Sequence, residues 1–155
     1  MPKTNTNKQA LEKELEERTT AGGLINYAWQ YYKAYQIVDK TMPKVQELFP
    51  VKYFLLCRVL ELSIKGFLRN KGYTRKKLMG MGHDLEKLID ELHKNDVLMG
   101  VNQMLETFVA NQYYKTKQFE YPITGYKEVP DLKSLERNVK LALSMTTNAI
   151  HKLLP

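Results

Sequence analysis

Between Tyr53 and Leu92 the chain reads YFLLCRVLELSIKGFLRNKGYTRKKLMGMGHDLEKLIDEL, and its apolar residues recur at helical spacing. Tyr53, Leu56, Cys57, Leu60, Ile64, Phe67 and Leu68 fall on one face, and Leu55, Val59, Leu62 and Gly66 carry that face further round the cylinder. Charge is confined to a single stripe. Arg58, Glu61, Lys65 and Arg69 lie three, four and four residues apart, so they stack in one line with Glu61 a turn before Lys65. A helix that is apolar on nearly all sides must be packed by several neighbours, which predicts a central position, with the charged stripe meeting water, a partner or a counter-charge. Asn70, Lys71 and Gly72 then stop the helix, a basic connector follows, and Gly80, Gly82, His83 and Asp84 lead into a second stripe of Leu85, Leu88, Ile89 and Leu92.

The flanks follow the same period. Residues 1–8 are expected to form a flexible tail, and Leu11 and Leu15 make a thin stripe in a charged, marginal helix over Gln9–Arg18. Thr19 to Gly23 break it. Leu24, Ala28, Tyr31, Tyr32, Tyr35, Val38 and Met42 predict a long aromatic-rich helix to about Lys40, and Pro43 and Pro50 bracket a linker. Beyond the second stripe, Asn95 reads as a stop and Asp96 as a cap, with Val97, Val101, Met104, Leu105, Phe108 and Gln112 inward as far as Tyr114. Lys115 to Pro130 holds Tyr121, Pro122, Gly125 and Tyr126, which is turn chemistry, and its tyrosines and Ile123 need somewhere to pack across the bundle. Asp131 caps a last helix with Leu132, Leu135, Val139, Ala142, Thr146, Ala149 and Leu153 inward. No stretch alternates with the period of a strand, and no repeat of solenoid length occurs. The prediction is an all-α, single-domain, up-and-down bundle of four main helices plus short ones over residues 9–155.

Composition narrows the function classes. At 155 residues the chain can bury a core without staples, and its single cysteine, Cys57, excludes an internal disulfide and sits where a buried inert thiol is expected. No apolar run reaches membrane length, and the polar start MPKTNTNKQ lacks the core of a secretory signal, so a cytoplasmic location is expected. Twenty-four basic against seventeen acidic residues give a net charge of +7, which favours acidic partners and nucleic acid among them. There is no G-x-S-x-G, no Gly-Lys phosphate loop, no G-x-G-x-x-G and no H-E-x-x-H. His83 and His93 have no third ligand at helical spacing, so neither a metal nor another cofactor is expected.

Two clusters carry candidate chemistry. The first is a polar pocket of Arg58, Glu61, Lys65 and His83 that could hold a phosphate or a nucleobase; its plainer alternative is a His83–Glu61 hydrogen bond fixing the angle between two helices. The second is the connector, where Lys71, Arg75, Lys76 and Lys77 surround Tyr73, cations for phosphates and a ring for a base; its alternative is a solvated helix end. The aromatic run around Trp29 divides in the same way between base stacking and core packing.

The apolar residues around Glu61, Leu62, Lys65 and Leu68, a short basic link, and then Gly82, His83, Asp84, Leu85 and Leu88 resemble the HEPN superfamily of small helical domains. That resemblance runs from about Tyr27 to the C-terminus. It implies a binding or regulatory module of a prokaryotic toxin–antitoxin, defence or nucleotidyltransferase-associated system, a homodimer, and a nucleotide or RNA as ligand, with a nucleotidyltransferase or antitoxin as partner. The aromatic surplus at Trp29, Tyr31, Tyr113 and Tyr114 also fits a dimer interface. HEPN ribonucleases carry an arginine followed after four to six residues by a histidine, and this chain departs from that rule. Arg75 and His83 have seven residues between them, and Arg137 and His151 have thirteen. The expectation is therefore binding without catalysis, with a ribonuclease whose Arg/His site is displaced or assembled across a dimer as one alternative and a structural interaction module as another.

Overall fold

In the computed structural model, which describes residues 3–41, 50–121 and 123–151, α3 (Pro50–Asn70) is the axis about which the other elements pack. Pro50 suits its first turn, where an N–H would have no intrahelical partner. Fifteen of its residues are buried, Lys52, Glu61 and Lys65 among them. Its apolar surface is covered by α2 (Ala21–Thr41), α7 (Leu132–His151), α5 (Leu85–His93) and α6 (Val101–Tyr114), with α1 (Lys3–Arg18) and the short α4 (Arg75–Gly80) at one end. No strand occurs among the described residues.

Side-chain contacts fix the directions. Gly66 meets Ile25 while Lys52 meets Asp39, so α2 and α3 are antiparallel. Trp29 Nε1 donates to Thr147, whereas Tyr32 and Tyr35 reach Glu136, so α2 and α7 are antiparallel too. Tyr113, near the end of α6, accepts from the Glu128 N–H just before α7, and Glu106 holds Ser134 and Asn138, which sets α6 against α7. The four main helices, α2, α3, α6 and α7, thus run up, down, up and down, the up-and-down bundle expected. Gly66 permits the closest approach: a Cβ there would lie 2.9 Å from Ile25 Cγ1 and 3.2 Å from the Ala21 carbonyl.

Several expectations shift. The first helix begins at Lys3, because residues 3–8 contain no breaker and continue its turns; Met42, Pro43 and Leu153 lie outside the described residues. The connector is not simply a link, since Thr74 accepts from the Lys77 N–H and caps α4. Asp96 is not a helix cap. It takes a left-handed turn (φ 62°), and α6 starts at Val101 behind Gly100, whose N–H donates to Gln103. The inward face of α6 is correspondingly different: Thr107, Ala110, Asn111 and Tyr114 are buried, while Val101, Leu105 and Gln112 face out. Among the described residues of the 115–130 loop Phe119 alone is buried, against Tyr53, and Tyr121, Ile123 and Tyr126 are exposed. Tyr114 is wholly buried, and Trp29, Tyr31 and Tyr113 rest partly buried on the core.

Candidate functional site

Glu61 is 1 % exposed, and a carboxylate so placed must find donors. Four side chains supply them. Arg58 Nη1 lies 3.0 Å from both oxygens, Lys65 Nζ donates at 2.7 Å, His83 Nδ1 lies at 3.0 Å, and the Tyr114 hydroxyl donates to the oxygen facing His83. Burial alone would push the Glu61 pKa up, but Lys65 and Arg58, aided by the His83 bond, outweigh it and hold the group ionised below its ordinary range. Burial, and then the same negative charge, raise the Tyr114 pKa, which keeps its hydroxyl a donor. The carboxylate is fully subscribed. Its work is to position the groups around it.

Those groups are set by their elements. Arg58, Glu61 and Lys65 share one line of α3, as their spacing requires. His83 stands on the turn before α5, where Gly82 takes a left-handed φ of 60° and turns its carbonyl to Lys65 Nζ at 2.7 Å. Asp84 caps α5 through the Glu86 N–H and also accepts from Asn111 Nδ2, while Asn111 Oδ1 takes the Leu85 N–H. This couples the His83 turn to α6. Because a carboxylate only accepts, His83 carries a proton on Nδ1, and Nε2 is the nitrogen left for a ligand.

A cavity of about 350 Å³ opens beside this cluster, lined by Arg58, Glu61, Lys65, Arg75 and His83 with Thr19, Leu24, Leu62, Leu78, Met79 and Gly82. Three of its lining residues are basic and only Glu61 is acidic. Arg58, Glu61, Lys65 and His83 thus line one cavity together, and Arg75 of the connector joins them. Cys57, nearby on α3, is 1 % exposed, and burial raises its thiol pKa, as expected of an inert thiol.

The connector divides. Lys71, Lys76 and Lys77 are exposed, whereas Arg75 is half-buried and turns to the cavity. The ring of Tyr73, expected to offer a base a stacking face, is covered by Lys77 Nζ 3.7 Å from its centroid. Its hydroxyl donates to Glu91 at 2.7 Å and accepts from Asn95 at 3.2 Å. With Lys94 as the larger influence, that bond helps to lower the Glu91 pKa to about 2. Tyr73 thus fastens the connector to α5 through its hydroxyl, while Lys77 lies over its ring. Sequence reading also missed Tyr114, Asn111 and Glu16; the signal for Tyr114 was that a buried Glu61 needs more donors than α3 and His83 provide.

The chain matches no family model, no curated protein and no solved structure.

Proposed function

We propose that this chain is a HEPN-like binding and regulatory module that takes a phosphate-bearing ligand, a nucleotide or RNA, in the cavity beside Glu61 and along the basic surface of α4, without cutting it. The observation that carries the reading is the convergence of Arg58, Lys65, Arg75 and His83 on one cavity with a single carboxylate. The Arg58 guanidinium and the Lys65 ammonium, both held in place by Glu61, and the Arg75 guanidinium suit phosphate oxygens, and His83 Nε2 adds a directed contact. Lys71, Lys76 and Lys77 extend the positive surface outward for a polyanion longer than one nucleotide. A homodimer, a cytoplasmic setting and a nucleotidyltransferase or antitoxin partner belong to the same reading through the family resemblance.

A second reading is favoured by one specific arrangement. Arg75 and His83, too far apart in sequence for the family's ribonuclease motif, line the same cavity, and Glu61 orients the imidazole as a carboxylate does in a general base pair. In that reading His83 Nε2 would take a proton from the ribose 2′-hydroxyl, and Arg75 would hold the phosphate.

A fluorescence titration of labelled single-stranded RNA at several salt concentrations, followed by a gel, tests both. Contacts to three or four phosphates predict a log–log salt slope of about −2 to −3, flattened in a Lys71→Ala, Arg75→Ala, Lys76→Ala, Lys77→Ala variant, with the RNA intact. Equal slopes for the two proteins would remove the binding site. Cleavage lost on Arg75→Ala or His83→Ala would replace the first reading with the second.

A further inference from the structure

The basic surface already holds an anion from its own chain. Arg69 Nη1 donates to Glu16 Oε1 at 2.5 Å, its Nη2 to the Glu16 carbonyl at 2.8 Å and its Nε to the Thr19 carbonyl at 2.7 Å, while the Arg75 N–H donates to Glu16 Oε2 at 2.8 Å. Glu12 lies one turn earlier on the same face of α1, and the two glutamates line a groove of about 460 Å³ with Thr74, Arg75, Lys76 and Met79. Thr19, where α1 ends, is also a wall of the cavity beside Glu61. Among the described residues little else fastens α1, where Leu15 is half-buried. Leu11 is 54 % exposed, and the pairs Lys13–Glu17 and Glu14–Arg18 join α1 only to itself.

We propose that α1 is a built-in competitor for the basic surface, with Glu16 in the place of a ligand phosphate. A phosphate can accept from the Arg69 guanidinium and the Arg75 N–H as the carboxylate does, and its remaining oxygens can take the Arg69 donors that the Glu16 and Thr19 carbonyls hold, so a polyanion can exchange for this end of α1 and release it. Because α1 is held mainly by these charge-assisted contacts and not by apolar burial, the exchange opens the groove and the Thr19 side of the cavity without disturbing the core. The inference rests on the reading of α4 as a polyanion site. What it adds is that the site is masked, and by which residue.

The test compares the full chain with Glu16→Gln and with Glu17→Gln, a control that makes the same change of charge on α1 away from Arg69. Each binds a labelled single-stranded oligonucleotide at several salt concentrations, with hydrogen exchange over residues 3–18 measured with and without the oligonucleotide and circular dichroism as the check on folding. Glu16→Gln should bind about tenfold more tightly, the equivalent of one charge-assisted hydrogen bond no longer in competition. Its salt slope should steepen by about 0.7, one further phosphate on a single strand. Glu17→Gln should stay within about twofold of the parent on this account, since it competes for nothing, and exchange over α1 should rise when the parent binds. An oligonucleotide bound only by Glu16→Gln would support the mask in its strongest form. If the parent binds and both variants match it, or both tighten equally, the mask is overturned and the polyanion site stands. If none of the three binds, both fall together.

Discussion

Two of the polar networks built on α3 differ in balance. Near the start of α3, Lys52 is 2 % exposed and meets Asp39 at 3.0 Å, Lys133 joins Asp39 at 2.6 Å and Glu136 at 3.3 Å, and Tyr32 and Tyr35 donate to Glu136. Two carboxylates face two ammonium groups, and the cluster ties α2, α3 and α7 together. Further along α3, Glu61 faces Arg58 and Lys65, with His83 and Tyr114 added, and Arg75 stands across the cavity. There cations exceed carboxylates, and one side is open. A balanced network consumes its own charges and is explained by helix packing. An unbalanced one beside a cavity leaves positive charge for something else, and this contrast separates the candidate site from the rest of the polar interior.

The largest effect should come from the unbalanced side. Glu61→Ala strands Lys65 and Arg58 with no carboxylate between them, and urea melts should record a loss of about 3–5 kcal/mol, the range for breaking a buried ion pair. A loss within about 1 kcal/mol would mean that the cations reach water and that Glu61 is not their anchor. On the balanced side, Lys52→Met should cost less, about 1–2 kcal/mol by the same measurement, because Asp39 keeps Lys133 and the methionine refills the space of the lysine stem. If Lys52→Met proved the more damaging, the distinction between the networks would be lost.

Acid should sharpen the contrast. Lys133 and Lys52 lower the Asp39 pKa, and Lys65 and Arg58 lower that of Glu61 against the effect of burial. A carboxyl whose folded pKa lies below its unfolded value contributes stability that is complete above the unfolded range, about pH 4, and is lost as pH falls through the folded value. Stability should therefore be flat from neutral pH down to that range and fall below it. Glu61→Gln should start lower and lose less on acidification, since it removes one of the groups that takes up a proton on unfolding. A parallel fall in the two proteins would show that Glu61 is ordinary.

How far the chain could be read depended on what each buried face is made of. α3 was legible because its interior is aliphatic, so the helical period of Leu56, Leu60, Ile64 and Leu68 stood out, and the one-line spacing of Arg58, Glu61 and Lys65 put the core of the site on a single face. α6 was misread for the opposite reason. Its buried face carries Asn111, which closes the Asp84 cap, and Tyr114, which serves Glu61, so the apolar Val101 and Leu105 suggested the wrong side. Residues brought together only by tertiary packing, such as Glu16 with Arg69, or Arg75 and His83 on one cavity, leave no periodic trace. Tyr73 stood in a basic run that suggests stacking, and only the position of Glu91 shows where its hydroxyl goes.

The claim that the cavity beside Glu61 is a phosphate-binding site is tested most directly at its imidazole. The chain has three histidines, His83, His93 and His151, of which only His83 lines the cavity. In protein labelled with nitrogen-15 at histidine, adding a nucleoside monophosphate should shift the His83 ring resonances in a saturable manner, with Nε2 moving more than Nδ1, and leave His93 and His151 in place. Arg75→Ala should weaken that response. Ring signals that stay still at saturating nucleotide, or that move equally for all three histidines, would contradict the account.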